Sequence, residues 1–282
     1  MRASSYPQRI VCLTEETTET LYLLEEDWRI VGISGFTVRP ARARREKPKV
    51  SAFTSARIDP ICALDPDLVL GFSDLQSDIA ASLIKRGLDV LIFNHRDIAG
   101  IFKMIRMLGG LVGCQEKAAA LCERLAGGLE QVRESARSFQ VRPAVYFEEW
   151  DDPLIAGSRW VSELVEVAGG RDCCSDYARH SLGKDRIIAD PAEVARRAPD
   201  IILGSWCGKK FRPEIVAARP GWGAVPAVRD GQLHEVKSPI ILQPGPAALT
   251  DGVARIHEVL SRWQTQRRIP MAPEPMAPER NR

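Results

Sequence analysis

Residues 97–139 read DIAGIFKMIRMLGGLVGCQEKAAALCERLAGGLEQVRESARSF, a proline-free stretch rich in Ala, Leu, Glu, Arg and Lys. After a break at Gly109-Gly110 and Gly113, apolar residues recur at Ala118, Leu121, Cys122, Leu125, Leu129 and Val132. That three-and-four spacing predicts a helix over 115–139 with one buried face. At 1.5 Å per residue it would be roughly 37 Å long, about the width of a small domain. Gly127-Gly128 is its weak point, since each glycine costs about 1 kcal/mol relative to alanine.

The flanks of this helix resemble each other. Before it stands Pro66-Asp67-Leu68-Val69-Leu70-Gly71-Phe72-Ser73, and after it Pro199-Asp200-Ile201-Ile202-Leu203-Gly204-Ser205-Trp206. In each case an Asp-Pro pair (Asp59-Pro60, Asp190-Pro191) opens a helix, because proline is tolerated in a first turn. An apolar strand and a glycine-aromatic loop follow. The repeated order predicts two Rossmann-like α/β lobes with parallel sheets, joined by one long helix, with a ligand cleft between them. The divisions are 9–96, a linking segment 97–140, 141–263, and a Pro-rich tail from 264 that reads as disordered.

Composition narrows the function classes. The chain has 282 residues, 45% hydrophobic and 27% charged, with a net charge of +2. This is ordinary for a globular protein and makes no case for nucleic acid or an anionic membrane as partner. No segment approaches the roughly 18 apolar residues that span a bilayer. The start, MRASSYPQR, lacks the apolar core of a secretory signal. Seven cysteines, an odd number with Cys173-Cys174 adjacent, do not read as a disulfide framework. Together these predict a cytoplasmic monomer, or a periplasmic one if a leader has been removed.

Along the chain, a strand at 9–13 precedes Thr14 and an acid-rich helix start, where Glu15 and Glu16 suit the helix dipole as capping acids or face a ligand. A second strand at 29–34 leads to a solvated basic loop over 42–49. Strand 68–72, helix 77–86 and strand 90–93 complete the first lobe. In the second, strand 144–147 runs into Glu148-Glu149-Trp150, 154–157 reads as a turn, and 160–168 as a helix. A loop spans 238–246 and the final helix 247–263.

In open parallel sheets, ligands bind beyond the carboxyl ends of the strands. That rule selects Glu15, Glu16, Phe36, Arg39, Phe72 and Ser73 from the first lobe. From the second it selects Glu148, Glu149, Trp150, Trp206, Cys207, Gly208 and Gln243, with Trp160 close enough to share the rim. Glycines on both sides of Ser205-Trp206-Cys207 predict an exposed loop. Catalytic constellations are thin. The histidines are scattered, Cys173-Cys174 with His180 makes a poor metal cluster, and Glu148 and Glu149 point to opposite sides of a strand. GxGxxG after the first strand, P-loop and GxSxG patterns are absent. No catalytic residue, metal or cofactor is expected.

Arg-Ile-Val-Cys-Leu with its Thr/Glu-rich helix start, IVGIS, ALDPDLVLGF, PLIAGSRWVSELVEVAGG, APDIIL and PGWGAVPAVRDGQLHEV together resemble a family. It is the periplasmic substrate-binding proteins with one rigid linking helix, which serve ABC importers of cobalamin, ferric siderophores and haem. The resemblance covers residues 9–263 and is nearest the cobalamin-binding branch. It implies a non-catalytic binding protein for a large, partly planar ligand such as cobalamin or a related corrinoid. Ferric siderophores and haem are the alternatives, and a cytoplasmic cofactor-handling enzyme on the same fold is the reading from another class. The resemblance also implies docking on an ABC permease through one acid per lobe. Asp59 matches the first; the second position falls near Leu242, followed by Gln243, so that grip is incomplete.

Overall fold

A computed structural model describes residues 5–268. The first lobe runs β1 (Ile10–Cys12), α1 (Glu15–Leu23), β2 (Ile30–Ser34), α2 (Ala41–Glu46), β3 (Lys49–Ser51), α3 (Ile58–Ala63), β4 (Leu68–Phe72), α4 (Ser77–Lys85) and β5 (Val90–Phe93). Its strands form one parallel sheet in the order β3-β2-β1-β4-β5. The strand order reverses at β1, so the ends of β1 and β4 flank the topological switch point. The expected basic loop over 42–49 is instead helix α2 and edge strand β3. Ala43 on α2 is buried while its arginines stay outside, which is what turns a basic run into an amphipathic turn.

Two helices follow, α5 (Ile98–Leu111) and α6 (Gln115–Ala136). The expected break at Gly109-Gly110 does not occur there, because both glycines lie inside α5. The chain turns at Gly113, whose φ of +76° suits glycine. Gly109 has another use: a Cβ there would stand 2.3 Å from the Ala118 Cβ, so its bareness lets α5 and α6 close up. The buried face of α6 is Ala118, Leu121, Cys122, Leu125 and Leu129. It packs on α5 and on α7 and α12 of the second lobe, so one apolar core continues from the first lobe into the second.

The second lobe runs β6 (Ala144–Asp151), β7 (Leu154–Ala156), α7 (Arg159–Val167), β8 (Arg171–Asp172), α8 (Pro191–Arg197), β9 (Ile201–Gly204), α9 (Pro213–Ala217), α10 (Pro226–Arg229), β10 (Leu233–Glu235), α11 (Ser238–Ile241) and α12 (Val253–Arg268). The order is β10-β9-β6-β7, with β8 also on β6. This sheet is mixed, which corrects the all-parallel expectation: β7 returns antiparallel to β6, where a simple turn was expected. The 238–246 segment carries α11, and α12 runs to Arg268 rather than stopping at Trp263. Gln264, expected in the tail, is buried and donates to the Val141 carbonyl. Residues 269–282 of that tail lie outside the described residues.

The two Pro-Asp octets do equivalent work. Asp65 and Ala198, each just before the proline, both have φ of 46°. Asp67 then accepts from Arg9 N at 2.9 Å at the entry to β1, and Asp200 accepts from Ala144 N at 2.8 Å at the entry to β6. The return bonds, Asp67 N to Arg9 O and Asp200 N to Ala144 O, complete each clasp.

Candidate functional site

The carboxyl ends of both sheets meet at the lobe junction. On the first lobe, β1 delivers Thr14, whose hydroxyl donates to Oε1 of Glu16 instead of capping the helix backbone. Glu15, Glu16 and Glu19 are all buried, and Glu16 Oε2 has no hydrogen-bond partner. Burial, then the neighbouring Glu16 charge, raise Glu15 to about 8, and burial raises Glu16 to about 7 against its Thr14 bond. The second lobe's 244–247 segment lies directly on this helix start. A Cβ on Gly245 would stand 2.5 Å from the Glu16 Cβ, and Ala247 N donates to Glu19 at 3.0 Å. Arg39 bridges Glu19 at 2.9 Å and Asp251 at 2.8 Å, while His95 Nε2 meets the Pro244 carbonyl at 2.7 Å.

The rim aromatics divide. Phe36 is 55% exposed as the reading requires, and Trp150 is half-buried with Lys209 Nζ 4.2 Å over its ring. Three others are not on an open rim, which corrects the expectation for each. Trp206 is 2% exposed: its indole donates to Glu148 at 3.0 Å and its ring meets Phe211 edge-on at 5.0 Å. Gly204 explains why, because a Cβ there would strike the Phe211 ring at 1.9 Å; the flanking glycine serves packing, not exposure. Trp160 is buried, donating to the Ile241 carbonyl at 2.9 Å. Phe72 is buried beneath the Arg96 guanidinium at 4.9 Å.

Several polar candidates are likewise committed internally. Ser73 is fully buried, with its Oγ accepting from Leu75 N and from Arg96, both at 3.2 Å. Glu148 is fully buried and holds Arg219 through bonds of 2.6 and 2.9 Å. It therefore supports the core beneath the cleft and does not face a ligand. Glu149, on the opposite side of the strand, grips Arg186 at 2.7 and 3.0 Å. Cys207 is exposed, Gly208 has φ of +77°, and Gln243 is half-buried. Although Cys207 is exposed as a residue, burial of its thiol chiefly raises it, and the charges of Glu149 and then Glu15 add to this. Burial chiefly lowers the Arg96 guanidinium; Asp74 opposes this and Arg186, from the other lobe, reinforces it.

No group of three or more His, Cys, Asp or Glu able to hold a metal occurs among the described residues. The Cys173 and Cys174 sulfurs, both buried, are 3.9 Å apart. Asp59 is exposed in the first turn of α3 and pairs with Arg86 at 2.8 Å. Leu242, at the matching place of the second lobe, ends α11.

Two α/β lobes on a rigid helical link, with facing carboxyl edges, form the architecture to which sequence comparison also leads. Residues 10–240 match the periplasmic binding protein family. The chain belongs to that family.

An ABC transporter substrate-binding lipoprotein of Bacillus subtilis, YvrC, is 24% identical over 89% of the chain and 79% of its own length. A cobalamin-binding protein of Halobacterium salinarum is 26% identical over 67% of the chain and 53% of its own length. The fold matches that of the periplasmic haem-binding protein BhuT in complex with two haems. Its TM-score is 0.76 and its identity 23%, over 91% of the chain and 98% of BhuT. Within this periplasmic binding protein, the residues missed by sequence reading are His95, Arg96, Arg186 and Arg219. His95 and Arg96 follow β5, so the carboxyl-end rule, applied to that strand too, would have found them. Arg186 and Arg219 sit 37 and 71 residues from their partners, and no local pattern marks them.

Proposed function

We propose that this chain captures a large, partly planar ligand, cobalamin or a related corrinoid first, for delivery to an ABC permease outside the cytoplasmic membrane. The observation that carries the proposal is the junction itself: Ala247 N of the second lobe donates to Glu19 of the first at 3.0 Å, and the Pro244 carbonyl meets His95 Nε2 at 2.7 Å, so the strand ends of both lobes close on one cleft. Around it, the basic groups Arg39, Arg186 and Lys209 are already paired with carboxylates. Such a cleft offers hydrogen-bond acceptors and aromatic edges, which suits a ligand fringed with neutral amides better than one fringed with carboxylates. Similarity to a cobalamin-binding protein supports the same reading. Nothing in the site assembles a nucleophile with a base, so binding without chemistry is the reading kept.

Haem is the second reading, favoured by His180, exposed beside Arg179 at the lobe junction. A mass spectrum of small molecules released from the purified protein tests both. A corrinoid mass supports the proposal, whereas haem or a ferric chelate replaces it.

A further inference from the structure

Between the lobes lies a small cavity of about 50 Å³. Arg96 reaches it from the segment after β5; Ser158 and Arg159 come from the start of α7, and Arg179, His180 and Ser181 from the loop after β8. No carboxylate lines it. Ser158 is the N-cap residue of the nine-residue α7 but makes no side-chain cap bond. Its side chain is 3% exposed and its hydroxyl has no partner. The Nε of Arg96 is also buried without a partner, although Asp74 holds the far end of that guanidinium at 2.9 Å. Arg159 is tied more loosely, to Asp97 at 3.4 Å and Glu163 at 3.1 Å.

Buried donors are almost always satisfied, and two orphans around one cavity need an acceptor supplied from outside the chain. A helix N-terminus and several guanidinium groups give that acceptor a negative charge. The cavity has room for a small anion, since about 10–15 Å³ of such space already holds one water.

We propose that this cavity is a phosphate site, held by Ser158, Arg96 and Arg179 at the N-terminus of α7, that takes either free phosphate or the phosphodiester of a corrinoid's nucleotide arm. The second source rests on the corrinoid reading above; the first does not. The cavity then takes the ligand's one anionic group.

The experiment titrates the full chain with three probes in chloride buffer: cyanocobalamin, dicyanocobinamide, which lacks the nucleotide and its phosphate, and inorganic phosphate. Tryptophan fluorescence reports the corrinoids, and phosphorus NMR line broadening reports phosphate. Cyanocobalamin should bind at least about tenfold more tightly than cobinamide, the loss of one good charge-assisted contact. Ser158→Ala and Arg179→Gln should reduce that ratio to about twofold while leaving cobinamide binding unchanged. Because Ser158 makes no cap bond and Arg179 is exposed, both variants should fold, and their cobinamide affinity checks this. Phosphate broadening that the variants abolish, with equal affinity for the two corrinoids, identifies free phosphate as the occupant and supports the site. If no corrinoid binds but that broadening persists in the wild type alone, the corrinoid reading falls and the site stands. Equal corrinoid affinities with no phosphate broadening overturn the site.

Discussion

Trp206 and Glu148 form the best-defined unit at the residue scale. Glu148 is fully buried and accepts two guanidinium bonds from Arg219 and one indole bond from Trp206, which commits its carboxylate to the core. Truncating such a ring leaves a cavity and strips one bond from a buried charge, so Trp206→Ala should cost about 3–5 kcal/mol of stability. Urea unfolding measures it; a loss below about 1 kcal/mol would place the ring on the surface after all. Local glycines suggested exposure, but the Phe211 ring, seven residues away, accounts for Gly204, and a left-handed φ of +77° accounts for Gly208. Glu15 and Glu16 set the pH response. With both carboxyls raised in the folded state, the native chain holds more protons than the unfolded one between about pH 4.5 and 8. Their contribution is fully present below about pH 4.5, declines as pH rises, and is gone above about 8. Glu15→Gln should therefore raise the melting temperature by several degrees at pH 8.5 and leave it unchanged near pH 4. Calorimetry at both pH values decides, and an equal shift at each would refute it.

The linking helix is the element where sequence and structure agree most closely. Five of six expected apolar positions on α6 are buried, because a helix face packed on two lobes leaves a periodic record. The glycines beside it left no such record, since bareness for close packing and bareness for a turn look alike in sequence. Gly109→Ala should destabilise by about 1–3 kcal/mol, as its Cβ would press into Ala118. Gly110→Ala, in the same helix with open space around it, should stabilise by up to about 1 kcal/mol. Chemical denaturation of the pair separates packing from propensity, and matching effects would contradict the close approach of α5 and α6. Strand β7 was hidden for a different reason. Three residues following Asp152-Pro153 carry too little alternation to distinguish an edge strand from a turn.

At the scale of the whole molecule, the duplicated Pro-Asp clasps made the two lobes legible, whereas the charge pairs that close the cleft were not. Arg39 reaches an acid more than two hundred residues away, and no sequence spacing encodes that contact. A continuous core through α5, α6, α7 and α12 resists hinge bending, so ligand capture should change the radius of gyration by less than about 1 Å. Small-angle scattering with and without ligand reads this directly, and a contraction of several ångströms would imply a flexible link. Asp59, exposed on the first lobe, is paired with Arg86 at 2.8 Å, and Leu242–Gln243 on the second lobe carries no acid. All of this depends on the cleft being a ligand site. Isothermal titration of the full chain with cyanocobalamin addresses that most directly: one ligand per chain with a Kd below about 1 μM, or about −8 kcal/mol, is predicted, and no heat at about 1 mM would contradict it.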